Sequence, residues 1–307
     1  MGRYVIRRLL QVIPVFFGTT LLIYGLVFSI PGDKVRALFG DRPVSEEVIK
    51  QIEKEHRLDK PFVIQYVGYI GDLAQGDLGT NLNGREVSDI IRQRLPVTLK
   101  LTAVAFLFEA ILGLLAGVLA GLRKGSYMDS LVLVSTTAVV SVPTFVLGHV
   151  AQLTLGLKWE LFPIAGIGEG LRSYLLPGFI LGALSLAYIA RLTRTSLVEN
   201  LRNDYVRTAK AKGLAPMRVV GRHTLRNSLI PVVTFLGVDI GSLMGGAIIT
   251  EGIFNLPGIG GQVFQSVSAH DGTVVVGIVT FLVMVFIFCN LAVDVLYAFL
   301  DPRIRYE

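Results

Sequence analysis

Apolar residues occur along this chain in six long runs, and the charged residues gather between them. A hydrocarbon core about 30 Å thick needs about 20 apolar residues of helix, and each run comes close enough to that length to cross a bilayer. The predicted spans are Leu9–Ile30, Leu99–Leu122, Leu131–Leu157, Leu175–Leu192, Leu229–Thr250 and Val274–Leu300. The first run is too long for a signal-peptide core and no A-x-A site follows it, so we expect it to remain as a span. The pattern predicts an all-α membrane protein.

The longest polar stretch lies between the first two spans. Ser45–Leu58 has the pattern of a helix capped by Ser45. A second helix is predicted from Phe62 onward, and its aromatic residues are typical of a membrane interface. We therefore divide the chain into an N-terminal span (1–30), a loop region with short helices (31–98) and a five-helix core (99–307). That core includes a polar loop at 193–228.

Composition and charge fit the same class of protein. Of the 307 residues, 52% are apolar and only 17% are charged, whereas soluble domains carry about 25% charged residues. The net charge of +6 is explained by arginine and lysine in short loops that stay in the cytoplasm, and it gives no reason to expect nucleic-acid binding. The basic short loops alternate with short loops that have few arginines and lysines, and the acidic residues roughly balance the basic ones in the long loop after the first span. This distribution predicts that both termini are cytoplasmic.

Sequence motifs for catalysis or cofactor binding are missing. The chain contains no G-x-x-x-x-G-K-[ST], H-E-x-x-H or G-x-S-x-G pattern, and its four histidines lack metal-ligand spacing. Cys289 is the only cysteine, which excludes an internal disulfide. We therefore expect no enzyme activity, no metal site and no cofactor in this chain.

Three acidic residues fall inside predicted spans, where a charge is costly and usually faces a protein interior or a water path. Glu109 and Asp239 lie mid-span. They are candidates for lining a solute path, and the alternatives are a hydrogen bond between helices or a protonated carboxyl. Asp294 lies near the end of its span, and a structural pair with a nearby basic residue is the simpler interpretation.

The polar loop from Asn203 to Pro231 has the capping signals of a short helix, a tight turn and a second helix. Asn203 or Asp204 fits the N-cap, Gly213 the left-handed position after the helix, and Pro216 the first position of the next helix. A helix this short is marginal alone. Its apolar face (Tyr205, Val206, Ala209) is too thin for lipid insertion, so we expect it to dock in a groove on another protein.

Within this loop RTAKAKG, Arg207–Gly213, resembles the EAA loop of ATP-binding-cassette importer permeases. Arg207 stands at the glutamate position and Thr208 at the first alanine, whereas Ala209 and Gly213 match. The dipeptide/oligopeptide branch of that family itself often has Arg-Thr-Ala there. The motifs GDLG, ITEGIFNLPGIGG and DPRIRY match the same branch, so the resemblance extends over essentially the whole chain.

The resemblance implies a type I ABC importer permease of the bacterial cytoplasmic membrane. Its fold would have six transmembrane helices, a long external loop after helix 1 and a cytoplasmic coupling helix between helices 4 and 5. The implied partners are a second homologous permease, two cytoplasmic ATPases that bind ATP and magnesium, and an external solute-binding protein. The implied solutes are di- to oligopeptides, with nickel and glutathione as alternatives; a channel or a membrane scaffold explains fewer of the motifs. The residues implied in coupling are Asp204, Tyr205, Arg207, Thr208, Ala209, Lys210, Lys212, Gly213 and Leu214.

The segment TEGIFNLPGIGG would lie outside the membrane in this topology. Glu251, Pro257, Gly258 and Gly260 are its candidate functional residues. They predict either a loop at the external gate or binding-protein dock, or a re-entrant turn with a structural role.

Overall fold

The structure is a computed structural model that describes residues 2–28, 45–55, 59–81 and 84–300. Three parts of the sequence analysis lie outside these ranges: the segment 29–44, the predicted end of the Ser45–Leu58 helix, and the motif that begins at Asp301. In the described ranges the chain is helical, with one isolated antiparallel bridge between Thr80 and Glu86. The helices are α1 Gly2–Phe28, α2 Glu46–Glu55, α3 Phe62–Ala74, α4 Val87–Leu122, α5 Tyr127–Val140, α6 Thr144–Ala151, α7 Arg172–Asn200, α8 Asp204–Ala211, α9 Ile230–Ile253, α10 Ile259–Ser268 and α11 Gly272–Leu300.

The chain also contains two stretches of π-helix in the described ranges. α6 continues into Gln152–Lys158, and the segment between α8 and α9 includes Val219–Leu225. The latter is flanked by the short helical turns Pro216–Arg218 and Arg226–Ser228.

The predicted all-α architecture and five of the six predicted spans are confirmed, and the third differs from the prediction. In the described residues α1, α4, α7, α9 and α11 are long and apolar enough to cross a membrane. The run predicted as one continuous helix from Leu131 to Leu157 is instead two helices, Tyr127–Val140 and Thr144–Lys158, bent by 101°. The break precedes Pro143, which lacks an N–H and disfavours helical geometry in the residue before it.

Several helices extend beyond their predicted apolar cores. α4 already begins at Val87, and Pro96 lies inside it, so one continuous helix crosses the boundary predicted at 98. Its first turns are held by buried Ile90 and Ile91, which belong to a core cluster with α10 and α11. α7 is likewise longer than predicted and includes Pro177. Burial against neighbouring helices therefore extends these elements beyond the lipid-compatible stretch.

The helices α4 and α7 pack closely because small residues line their contact. Gly113, Gly117 and Gly121 recur every four residues on α4 and are buried. A Cβ atom added at Gly117 would lie 2.5 Å from Cβ of Thr193 and 2.6 Å from the carbonyl oxygen of Ala190. Contacts of this kind bring helix backbones together where the hydrophobic effect does not drive association.

An aromatic cluster joins α1 to α3. The ring of Tyr24 stacks against Phe28, Phe62, Tyr66 and Tyr69 at centroid distances of 4.5–5.8 Å. The aromatic residues predicted to lie at the membrane interface thus pack on α1. The hydroxyl of Tyr69 also donates a hydrogen bond to Thr280 of α11, at 2.7 Å. Burial raises the pKa of Tyr69 to about 12, against the opposing effect of that hydrogen bond, so the phenol stays protonated and able to donate.

Candidate functional site

The basic hairpin, residues 204–228, has the local structure that its capping signals predict. α8 spans Asp204–Ala211 with Asn203 at the N-cap position, although the Asn203 side chain makes no capping hydrogen bond. Gly213 has a φ of +72°, the left-handed conformation that favours glycine. Pro216 occupies the first turn of the next helical segment. The hairpin is therefore fixed by its own sequence.

The apolar face of α8 is covered by the rest of the hairpin. Val206 is fully buried and Ala209 is 6% exposed, and both pack with Val219 and Leu214. The prediction that this face docks in a groove on another protein is wrong for Val206 and Ala209, because the π-helical segment fills that role within the chain. Ala209 instead permits the close packing of α8 on Val219.

The opposite face of α8 is exposed and basic. Arg207 and Asp204 form an ion pair at 3.6 Å with side chains 78% and 95% exposed, so it contributes little to stability. The hydroxyl of Tyr205 donates a hydrogen bond to Asn200 Oδ1 at 2.8 Å. Met217, in the helical turn Pro216–Arg218 of the same hairpin, is 85% exposed, and the sequence analysis did not single it out. The other predicted coupling residues on the surface are Thr208, Lys210, Lys212 and Gly213, with Leu214 half-buried.

At the other end of α9, a buried carboxylate organises the glycine loop, residues 254–261. Glu251 is fully buried. Its Oε1 accepts a hydrogen bond from the Thr98 hydroxyl at 2.7 Å, and its Oε2 accepts one from the Gly261 N–H at 2.9 Å. The Thr98 oxygen in turn accepts the Ile259 N–H at 2.8 Å. Glu251 therefore caps the start of α10, whose own N-cap residue, Gly258, makes no side-chain cap.

Glycine is required at three positions of this loop because neighbouring atoms lie too close for a Cβ atom. A Cβ at Gly258 would lie 2.3 Å from both carboxylate oxygens of Glu251. At Gly260 it would lie 2.4 Å from Cα of Ile248, and at Gly261 2.4 Å from the carbonyl oxygen of Leu256. Any larger residue at these positions displaces the carboxylate, the backbone of α9 or the backbone of the loop itself.

The structure brings together Glu251, Gly258 and Gly260 but leaves Pro257 exposed. It adds Thr98, which the sequence analysis missed because no local pattern links α4 to a loop more than 150 positions away. Gly261, expected only as a turn residue of the motif, donates its N–H to Glu251. An open cavity of about 550 Å³ lies beside the loop, lined by residues that include Asn255, Phe264 and Gln265. Phe264 is 59% exposed, so α10 presents an apolar side chain next to this cavity.

The three acidic residues of the predicted spans have two different surroundings. Glu109 and Asp239 are buried on α4 and α9, and neither lines an open surface of this chain. Asp294 forms an ion pair with Arg8 of α1 at 3.3 Å, as the structural interpretation predicts. The glycine loop and the basic hairpin are separated by α9, whose 24 residues span about 36 Å.

No set of three or more histidine, cysteine, aspartate or glutamate side chains is arranged to hold a metal ion among the described residues. The described residues form helix caps and close packing at the two ends of α9.

Comparison with known families identifies two matches along the chain. Residues 1–102 match the family described as the N-terminal part of the binding-protein-dependent transport system membrane component. Residues 113–306 match the binding-protein-dependent transport system inner membrane component. Together they cover almost all of the chain.

The chain is similar over its whole length to several characterised proteins. It is 39% identical to the di/tripeptide transport system permease protein DppB of Pseudomonas aeruginosa, with 100% of both chains covered. It is 36% identical to the dipeptide permease DppB of Escherichia coli K12 and 38% identical to the glutathione transport system permease protein GsiC of E. coli O6:H1, again with 100% of both chains covered. A solved structure of the inward-facing MetNI methionine ABC transporter matches with a TM-score of 0.57 and 19% identity, covering 69% of this chain and 96% of that chain.

Proposed function

Because the chain belongs to the binding-protein-dependent transport system inner membrane components, a family of multi-pass permeases, we propose that it is the permease subunit of an ATP-driven importer of short peptides. The observation that carries this proposal is the 39% identity with a di/tripeptide permease over the full length of both chains. The transport path is completed by a second, homologous permease. The solute arrives from an external binding protein.

The basic hairpin is the contact with the ATPase subunits. It presents a capped, exposed helix at one end of α9, and its internal core of Val206, Ala209 and Val219 makes it a rigid unit. A rigid hairpin transmits displacement to the helices that it joins, here α7 and α9, whereas a flexible loop would absorb it. The exposed basic side chains and Met217 are the surface offered to an acidic, partly apolar groove. This end and both termini lie in the cytoplasm, following the distribution of basic residues.

The glycine loop lies at the external end. Its rigid cap holds α10 against α4 and α9, and the cavity beside Phe264 opens next to it. This arrangement supports a structural role for Glu251, Gly258 and Gly260 in shaping the external entrance, with α10 as the element that meets the path or the binding protein.

The substrate is tested by transport. We expect the complete transporter, reconstituted in liposomes with its ATPases and binding protein, to accumulate a labelled dipeptide only when ATP is enclosed with the ATPases. Omitting the binding protein is the control and should remove uptake. Glutathione, itself a tripeptide, is the second candidate because of the 38% identity with a glutathione permease. Uptake of glutathione in preference to α-linked dipeptides would replace the first assignment by the second.

Gly213 tests the coupling role. A β-branched residue at a φ of +72° costs about 1–2 kcal/mol, which distorts the turn between α8 and Pro216. We expect Gly213→Val to lower peptide uptake by about tenfold or more, with weaker retention of the ATPase subunits on purification and unchanged insertion of the spans.

The matched control is Gly213→Asn, since asparagine tolerates the left-handed conformation. A Cβ added at Gly213 meets nothing within 4 Å, so bulk alone is harmless and Gly213→Asn should transport at nearly the wild-type rate. Wild-type uptake in Gly213→Val would contradict the coupling role of the hairpin.

A further inference from the structure

Two carboxyl groups meet between α4 and α9, away from both the basic hairpin and the glycine loop. Glu109 is fully buried and Asp239 is 7% exposed. The two side chains are close enough to form a hydrogen bond when one of them is protonated. Glu109 lies 11 residues beyond Thr98 on α4, about 16 Å along the helix from the contact between Thr98 and Glu251.

The oxygens of this pair receive no hydrogen bond from any other group. Both carboxyl oxygens of Glu109 and Oδ2 of Asp239 are enclosed, and no N–H or hydroxyl group in the described part of the chain donates to them. The two carboxyl groups instead lie within hydrogen-bonding reach of each other. The arginines that form ion pairs there do so with other acids, namely Asp294, Glu169, Asp129 and Asp204. No ion pair in those ranges involves Glu109 or Asp239, so the two carboxyl groups are not compensated by a paired positive charge.

Two ionised carboxylates in contact inside a membrane protein repel each other strongly, and each costs about 2.5–3.5 kcal/mol at the bilayer centre. A protonated carboxyl removes both problems, because it becomes a donor and bonds to the second carboxyl. A metal ion fits less well. Calcium takes about six to eight oxygen ligands, whereas the neighbouring side chains Phe106, Ala110 and Leu236 belong to an apolar cluster.

We propose that Glu109 and Asp239 form a proton-binding site, in which one proton is held between the two carboxyl groups and joins α4 to α9. The proton supplies the hydrogen bond that the buried oxygens otherwise lack. Losing it leaves two like charges between the helices and favours their separation. The site is independent of which solute the protein carries.

Infrared spectroscopy of the assembled transporter in lipid bilayers tests this directly, because a protonated carboxyl has a carbonyl stretch distinct from that of a carboxylate. We expect the wild-type spectrum to contain such a band and Glu109→Gln to lose it, since the amide then donates to an ionised Asp239. In Asp239→Asn we expect the band to persist at a shifted frequency, because Glu109 then bonds to an amide.

Asp294→Asn is the matched control, since that carboxylate is paired with Arg8 and its removal should leave the band unchanged. A band that neither pair variant alters, or that only Glu109→Gln alters, overturns the shared-proton site. Both substitutions nearly preserve shape and should leave thermal stability close to that of the wild type. If Glu109→Gln does not fold, the band shift in Asp239→Asn decides the question by itself.

Discussion

Replacing Gly117 with leucine is expected to destabilise the helix bundle strongly. A single Cβ at this position would already lie 2.5 Å from Cβ of Thr193 and 2.6 Å from the Ala190 carbonyl oxygen. Neither atom can move away unless the backbone of α7 moves with it. The helices α4 and α7 must therefore separate. Overpacking of this kind costs about 3 kcal/mol or more, which corresponds to a fall of about 6 °C or more in thermal midpoint.

The measurement is the thermal unfolding midpoint of the purified protein in detergent, together with its amount in the membrane fraction. Gly117→Ala should have an intermediate effect, since it adds only the Cβ. Gly18→Leu is the control, because a Cβ at Gly18 on α1 meets nothing within 4 Å. Equal midpoints for Gly117→Leu and Gly18→Leu would show that the α4–α7 contact is not the close packing described above.

This contact also shows what the sequence alone could and could not predict. Hydropathy located all six apolar runs, because the length needed to cross a bilayer is a property of each run by itself. The same argument failed at Ser141–Pro143, where the apolar run continues but the backbone bends by 101°. Proline was visible there, yet proline inside α4 and α7 leaves those helices continuous. Its effect depends on neighbours that hydropathy does not describe.

In the basic hairpin, too, the local features were predictable from the sequence and the tertiary contacts were not. Its caps and turn were predictable because Gly213 and Pro216 act on their own backbone geometry. The burial of Val206 and Ala209 was not, because it requires knowing that the chain folds back and places Val219 against them. Arg194 is a related case: its basic character supported the topology, yet it forms two hydrogen bonds with buried Asp129, at 3.0 and 2.8 Å.

Contacts between residues on helices that are far apart in the sequence were the least predictable feature. Glu109 and Asp239 were separately recognisable as costly residues in apolar runs, but their meeting depends on how α4 and α9 are placed side by side. Thr98 gave no signal at all, since a threonine in an apolar helix commonly bonds to its own backbone. Only the tertiary structure shows that its hydroxyl connects Glu251 to the first turn of α10.

Replacing Glu251, which removes its connection to Thr98 and α10, is the second change for which we expect a large effect. In Glu251→Ala, the N–H of Gly261 and the hydroxyl of Thr98 lose their charged acceptor in a fully buried setting. A hydrogen bond to a charged group contributes about 1.5–3 kcal/mol, and an orphaned buried donor adds its own cost. We expect α10 to detach from α4 while the long helices remain folded, and peptide uptake to fall by about tenfold or more.

Limited proteolysis and hydrogen exchange of α10 in the purified transporter measure the detachment, and uptake measures its consequence. In Glu251→Gln we expect the protection of α10 and the uptake to lie between those of the wild type and of Glu251→Ala. The amide keeps one acceptor oxygen, but its N–H₂ group replaces the oxygen that accepts from either the Thr98 hydroxyl or the Gly261 N–H. Glu169→Ala is the control, since that carboxylate is about half exposed and pairs with Arg172 at the surface. Protection of α10 in Glu251→Ala equal to that in Glu169→Ala would mean that the packing of Ile259 and Val263 alone holds the helix, and the buried carboxylate would then have no positioning role.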